Sequence, residues 1–497
     1  MSSAPLLLAI DQGTTSTRAI LFDTQQNPIA SAQCELAQSF PQAGWVEHDP
    51  KQIWQDCLTT CREVLQRNRG HLSRLAAIGI SNQRETVVLW DRISGKALHP
   101  ALVWQDRRTE DACAALRESG LEEEVRKRTG LLLDPYFSAS KIKWLLDSIP
   151  GARTDAENGK LAVGTIDSWL LWHLTGGKTF ATDVSNASRT LLFNITKMAW
   201  DPWLCELFQI PLQLLPEVRE TTAHFGHTEA QLFGREIPIH AVIGDQQAAT
   251  LGQHCFTPGS MKCTYGTGAF AMQNTGERCL VESRRLLTTV LWQHQGKIQY
   301  ALEGSIFSAG SAIQWLRDGL GLFDHVTQTE ELARQAQENS GVFLVPAFHG
   351  LGAPWWDPHA RASLLGITRG TGRAEIVRAG LEASCFQTLD LLEAAKADGT
   401  SMPDALHVDG GLCNNRWFLQ CLADILQLSI YCPTNVETTA AGAALCASLG
   451  ADLTDQNTLL QTAPQRAELF QPKMAYSERQ QRYADWRDAV SRTLSSS

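Results

Sequence analysis

Asp11-Gln12-Gly13-Thr14-Thr15-Ser16-Thr17-Arg18 lies between two short apolar runs, 6–10 and 19–22. Glycine and small hydroxyl residues that interrupt strand-like runs predict a tight hairpin turn. Such a turn aims backbone N–H groups and hydroxyls at one spot, which suits an anion. The second half holds a counterpart, Tyr265-Gly266-Thr267-Gly268, between the apolar runs 261–264 and 269–272. One such turn reads most simply as an ordinary hairpin. Two of them, one in each half and each with a further motif nearby, predict a pair of cradles that grip a polyphosphate from opposite sides.

Outward from the first turn, runs 6–10, 18–22 and 28–33 read as three strands. A helix follows, with Asp49 as its cap, Pro50 at its first position, and Ile53, Trp54, Cys57, Leu58, Cys61, Val64 and Leu65 as one apolar stripe. Runs 75–80 and 86–90 are strand-like and flank Ser81-Asn82-Gln83-Arg84-Glu85. A hairpin, a further strand, then helix–strand alternation predict an α/β domain with a mixed sheet. The second half repeats this plan: the strand pair around 265–268, a helix near 308–317, a long helix over 375–397, a strand at 406–408, Asp409-Gly410-Gly411, a helix over 415–426, a strand at 429–432 and an Ala-rich helix over 438–448. The boundary falls near 253–259, giving domains 1–252 and 253–497 with a cleft between them. The tail 495–497 is expected to fray.

Composition narrows the function. The chain has 497 residues, too many for one core, so two large domains are expected. The net charge of −10, without a dense basic stripe, argues against nucleic acid and anionic membrane as partners. No apolar run approaches the length of a membrane span, and no signal peptide is evident, so no membrane insertion is expected. The 13 cysteines form no CxxC pair; they read as reduced thiols in a cytoplasmic protein. GxxxxGK[ST], GxGxxG after a strand, HRD with DFG, and HExxH are all missing, so phosphoryl transfer would use another architecture.

Four segments offer chemistry. Asp11, beside the first cradle, is of the type that manages Mg²⁺, and Arg18 could balance phosphate charge. Arg84 and Glu85 present donors and acceptors side by side, which suits a ligand with several hydroxyls, although a solvated ion pair reads equally well. Asp245 leaves the apolar run 237–243 and is a candidate general base, with a helix N-cap as the alternative. Gly410 and Gly411 let the backbone approach a flat ligand, and Asn414 and Asn415 offer amides to a heterocycle.

Taken together, these segments resemble the FGGY carbohydrate kinases, and among them the enzymes that act on glycerol. The resemblance rests on AIDQGTTSTRAILFD at 9–23, GWVEHDP at 44–50, GISNQRET at 79–86 and WQDRRT at 104–109. It continues through DPYFSASKIKWLLD at 134–147, SNASRTLLFNI at 185–195, GDQQAA at 244–249, YGTGAF at 265–270, GLGAPWWDP at 350–358 and VDGG at 408–411. It implies two ribonuclease-H-like domains of the actin-like ATPase type, with a nucleotide cleft between them. It also implies phosphorylation of glycerol by Mg²⁺-ATP. Carried over by motif, glycerol would meet Arg84, Glu85, Tyr136, Asp245 and Gln246, with Trp104 and Phe270 as walls. ATP would meet Thr14, Thr15, Ser16, Arg18, Thr267, Gly310, Gln314, Gly411 and Asn415; Asp11 and Asp245 would manage the metal. The resemblance further implies a homo-oligomer, dimer or tetramer. Other FGGY kinases, acting on a pentulose, a tetritol or dihydroxyacetone, are the nearest alternative, and a nucleotide-driven binding protein of the Hsp70 or actin type is a remoter one. The segment 229–235 has a single glycine and no histidine. In relatives the corresponding loop is glycine-rich and binds fructose 1,6-bisphosphate, or bears a phosphorylatable histidine; both inputs are expected to be lost.

Overall fold

The computed structural model describes residues 4–283, 285–434, 437–461 and 467–495. Strands Leu6–Gln12, Ser16–Asp23 and Pro28–Glu35 form an antiparallel meander, and the first of them continues in parallel to Leu75–Asn82 and then Ile239–Gly244. Three antiparallel strands followed by two parallel ones define a ribonuclease-H-like sheet. The plan recurs in the second half. Met261–Tyr265 pairs antiparallel with Ala269–Gly276 and parallel with Ala405–Asp409, which pairs parallel with Ser429–Pro433. The hairpin Leu287–His294 and Lys297–Ile306 extends this second sheet, and Ala467–Phe470 closes its far edge. The chain is therefore an α/β protein with two lobes of one topology.

The expected helices appear where their patterns lie. Pro50–Arg67 is capped by Asp49, whose carboxylate accepts the Lys51 N–H, and it buries Ile53, Cys57, Cys61, Val64 and Leu65 against the first sheet. Two features that the sequence reading left open concern the site. Leu75–Asn82 and Val87–Asp91 are not paired with each other. The second of these enters a separate sheet with Glu47–His48, Ala101–Leu102 and Leu161–Thr165, so the intervening Gln83-Arg84-Glu85 bridges two sheets. The hairpin at 287–306 has no counterpart in the sequence reading. Its turn, Gln295-Gly296, has φ of 49° and 77°, the geometry of a two-residue primed turn, in a dipeptide weaker as a signal than Asn-Gly.

The lobes share a core. The Ala-rich helix Thr438–Gly450, from the second half, lays Ala440, Ala441, Ala443, Ala444 and Ala447 over Leu7, Ala9, Ala77 and Ala241 of the first sheet. It also crosses the helix Asp245–Gly252 at backbone contact. A Cβ on Gly442 would stand 1.9 Å from the Ala248 carbonyl oxygen, and one on Gly252 would stand 1.9 Å from that of Thr438. Only glycine permits that approach. In the tail, Ser495 is anchored rather than frayed, its N–H and hydroxyl donating to Asp357 at 2.7 and 2.8 Å, while 496–497 lie outside the described residues.

Candidate active site

Register brings the motifs together. Across the three parallel strands of the first sheet, Gln12 stands beside Asn82 and Asn82 beside Gly244. The three chains therefore leave the sheet at one level: the first into Gly13–Ser16, the second into Gln83-Arg84-Glu85, the third into Asp245. The second sheet repeats this device, because Thr264 pairs with Asp409. The turn 265–268 and the Gly410-Gly411 turn emerge side by side.

Both cradles are tight turns, closed by Gly13 N–H to the Ser16 carbonyl at 2.8 Å and by Gly266 N–H to the Gly268 carbonyl at 2.9 Å. Thr15 and Thr267 are exposed at their tips, with Ser16 half-buried. Thr14 Oγ1 accepts the Trp104 indole N–H at 2.9 Å, tying the first cradle to an aromatic cup. The ring of Trp104 meets those of Tyr136 and Phe270 edge-on, with centroids 5.6 and 6.2 Å apart. Phe270 comes from the second lobe, so the cup spans both.

Charged groups line the cup. Arg84 is buried, and its Nε lies 3.3 Å from Asp245 Oδ1. Its Nη2 donates to Tyr136 Oη at 3.5 Å and its Nη1 to Gln247 at 3.2 Å. Gly244 makes room for this side chain: a Cβ there would stand 2.8 Å from Arg84 Cδ. Glu85 has φ of 60°, strained for a residue with a side chain, and Thr86 N–H donates to the Arg84 carbonyl at 2.7 Å across it. Asp245 is the first residue of the helix Asp245–Gly252, whose N-cap is Gly244, so the N-cap alternative does not hold; its Oδ1 accepts the adjacent Gln246 N–H at 2.6 Å. Its side chain is nevertheless 28% exposed toward the cleft. Burial raises the Asp245 carboxyl above the ordinary range, with Arg84 and Lys262 opposing. Asp11 is pushed up to about 7, first by burial and then by the neighbouring Asp245 charge.

The remaining expected nucleotide contacts divide. Gly310 begins the helix Gly310–Asp318, and its N–H bonds the Gly266 carbonyl at 3.0 Å, fastening the second cradle to a helix N-terminus. Gln314 is exposed one turn along that helix, and Gly411 is exposed at its own turn. Arg18 is half-exposed and pairs with Glu437 at 2.9 Å and Gln33 at 3.1 Å. The Asn415 amide serves the scaffold: its oxygen accepts the Phe418 N–H at 2.9 Å and its nitrogen donates to Thr329 at 3.1 Å. Asn414 is the exposed amide of that pair.

Sequence reasoning missed Glu303, Arg189 and Lys262, all fully buried at this site. Glu303 and Arg189 ion-pair with Arg84 and Glu85. The Lys262 ammonium donates to Gln246 and to Thr264. A lone charge within each apolar or small-residue segment was the available signal. No cluster of three or more His, Cys, Asp or Glu able to hold a metal occurs among the described residues.

Two tight glycine–threonine turns, one in each lobe, beside a small aromatic cup lined by buried charges suit phosphoryl transfer to a small hydroxylated molecule. Residues 6–252 match the N-terminal domain, and 261–451 the C-terminal domain, of the FGGY family of carbohydrate kinases. The chain belongs to that family. It is 56% identical to a glycerol kinase of Alcanivorax borkumensis over 99% of each chain. It is 54% identical to one of Ectopseudomonas mendocina, covering 98% of this chain and 99% of that one. The crystal structure of Plasmodium falciparum glycerol kinase with ADP superposes with a TM-score of 0.93 at 36% identity, over 99% of both chains.

Proposed function

We propose that the protein phosphorylates glycerol with ATP, giving sn-glycerol 3-phosphate and ADP. The observation that carries this reading is the short cup of Trp104, Tyr136 and Phe270, floored by Arg84, Glu85 and Asp245. A three-carbon polyol can satisfy those polar groups, whereas the aromatic walls crowd a longer sugar. The full-length likeness to glycerol kinases supports it.

In this reading Arg84, Glu85 and Tyr136 fix two hydroxyls and leave the third facing Asp245, which takes its proton. Positioning and charge stabilisation supply most of the acceleration in phosphoryl transfer. The N–H groups and hydroxyls of Thr14, Thr15, Ser16 and Thr267 hold the phosphates. Arg18 adds charge from the first lobe, and Gly310, Gln314, Gly411 and Asn415 mark the nucleoside side. Residues 1–252 and 253–497 act as the two lobes, and their closure keeps water from the transferred group. Magnesium fits the donor set. Asp11 and Asp245 would hold the ion through their hard carboxylate oxygens, and a divalent cation there would relieve their mutual repulsion. When bound, the ion neutralises charge on the transferring phosphate.

The proposal places the protein in the cytoplasm, where its thirteen free cysteines would stay reduced; no described helix is long and apolar enough to cross a membrane. The proposal includes a dimer or tetramer, read by sedimentation. A coupled ADP-release assay with and without glycerol tests the function. Glycerol-dependent release is expected. Turnover without glycerol indicates a chaperone-like ATPase, and faster turnover with a pentulose, a tetritol or dihydroxyacetone indicates another member of the family.

A further inference from the structure

We propose that Glu303 is a positioning residue of the polyol site, reaching from the second lobe to hold Arg84 and Arg189 of the first in the poses the pocket needs. This rests on the reading of the cup as the polyol site.

Glu303 lies on Lys297–Ile306, in the interior of the second sheet, and is fully buried. Its Oε2 accepts Arg84 Nη1 at 2.5 Å and its Oε1 accepts Arg84 Nη2 at 3.1 Å, a two-point grip on the guanidinium fork. The same Oε1 accepts Arg189 Nη2 at 2.9 Å. Arg189 in turn donates from Nε to Glu85 Oε1 at 2.7 Å, and its guanidinium lies 5.6 Å from the centroid of the Tyr136 ring. One carboxylate thus contacts Arg84 directly and reaches Glu85 and Tyr136 through Arg189. It comes from residues far from 84, 85, 136 and 189 in the chain, across the lobe boundary.

The electrostatics require such a group. Arg84 and Arg189 are both buried and keep their charge there, so each needs a compensating carboxylate. Glu85 alone balances one of them. Burial opposes ionisation of Glu303, yet the Arg189 and Arg84 guanidiniums hold its carboxyl down at about 2, so it remains an anion throughout the working range. With Glu303 in place, the two arginines and two glutamates sum to zero beneath the cup. Without its charge they sum to one positive, and the nearest carboxylate to receive the freed Arg84 fork is Asp245, already 3.3 Å from Nε. Arg84 would then occupy the group that must accept the substrate proton. The grip of Glu303 keeps the Arg84 fork, Nη1 and Nη2, off Asp245 and leaves only the Nε contact at 3.3 Å.

Glu303→Gln, nearly isosteric and uncharged, is the test, measured beside the wild type in the coupled assay. Wild-type turnover without dependence on glycerol would refute the functional reading itself. Given glycerol-dependent wild type, kcat is expected to fall and glycerol KM to rise, together lowering kcat/KM about 10- to 100-fold, with ATP KM within about twofold. Glu303→Asp keeps the charge but shortens the reach, and should lie between wild type and Glu303→Gln in glycerol kcat/KM. A Glu303→Gln variant with wild-type glycerol kinetics overturns the proposal. So does one whose thermal midpoint falls while glycerol and ATP parameters change alike. If Glu303→Gln does not fold, Glu303→Asp decides: raised glycerol KM at unchanged ATP KM supports positioning, and unchanged glycerol KM refutes it.

Discussion

Asp245→Asn separates chemistry from scaffold more cleanly than any other change at this site. The amide oxygen can still accept the Gln246 N–H that Asp245 Oδ1 now accepts at 2.6 Å, so that local contact survives. Arg84 loses a charged partner at 3.3 Å but keeps both contacts to Glu303, at 2.5 and 3.1 Å, so it stays in place. Fold stability should therefore change by no more than about 1 kcal/mol. The rate should change far more, because the amide cannot take the hydroxyl proton. Loss of a general base costs about 10²–10⁴ in rate, or about 3–5 kcal/mol of barrier. A loose transition state, in which proton transfer lags, places the loss near the lower end of that range. The assay is coupled ADP release at saturating glycerol and ATP, with ATP binding measured separately by calorimetry. Titrating Mg²⁺ in the variant distinguishes a base from a metal-managing group, since only the latter raises the Mg²⁺ requirement. A variant whose kcat stays within about threefold of wild type would show that Asp245 is not the base.

Arg84→Ala should abolish useful glycerol binding and also destabilise the protein by about 3–5 kcal/mol, since it breaks a buried ion pair; unchanged glycerol kinetics would show the pocket to be misassigned. Gly442→Ala should cost about 3 kcal/mol, read as a lower urea midpoint, because its Cβ would meet the Ala248 carbonyl at 1.9 Å where the lobes cross. Burial raises Asp390 to about 6 despite hydrogen bonds from Trp486 and Tyr483. Its folded pKa exceeds the unfolded value of 3.8, so its contribution to stability is complete below that value and is lost as pH rises through about 6. The stability difference between wild type and Asp390→Asn should thus grow as pH falls across that window, and a constant difference in urea titrations would contradict it. Fructose 1,6-bisphosphate should not inhibit, because 230–233 folds into the short helix Ala230–Phe233 and Arg235 spends its guanidinium on the Leu72 and Glu236 carbonyls; clear inhibition in the ADP-release assay would contradict this.

The fold was largely legible in the chain because its signals are local. Hairpin turns at 13–16 and 265–268, the Asp49–Pro50 cap and the apolar stripe behind it depend on residues adjacent in sequence, and the structure keeps each of them. The hairpin at 287–306 was not read, because Gln295-Gly296 is a weak turn signal flanked by mixed polar and apolar residues. With it went Glu303, and the omission of Arg189 had the same root. A single charge in a buried segment announces nothing until its partner is known, and the partners here are separated by roughly a hundred residues or more along the chain.

The sequence by itself determined two repeated α/β halves with a glycine–threonine turn in each, and offered Arg84, Glu85 and Asp245 as candidate site residues. It could not say that these groups meet. Strand register decided that, by setting Gln12, Asn82 and Gly244 at one level so that three loops leave the sheet together. Tertiary packing decided which charges balance which, placing Glu303 of one lobe between two arginines of the other. Hairpin turns and caps are fixed by forces that act over a few residues. Compensation of buried charge acts through space, and only the folded chain brings its partners within reach.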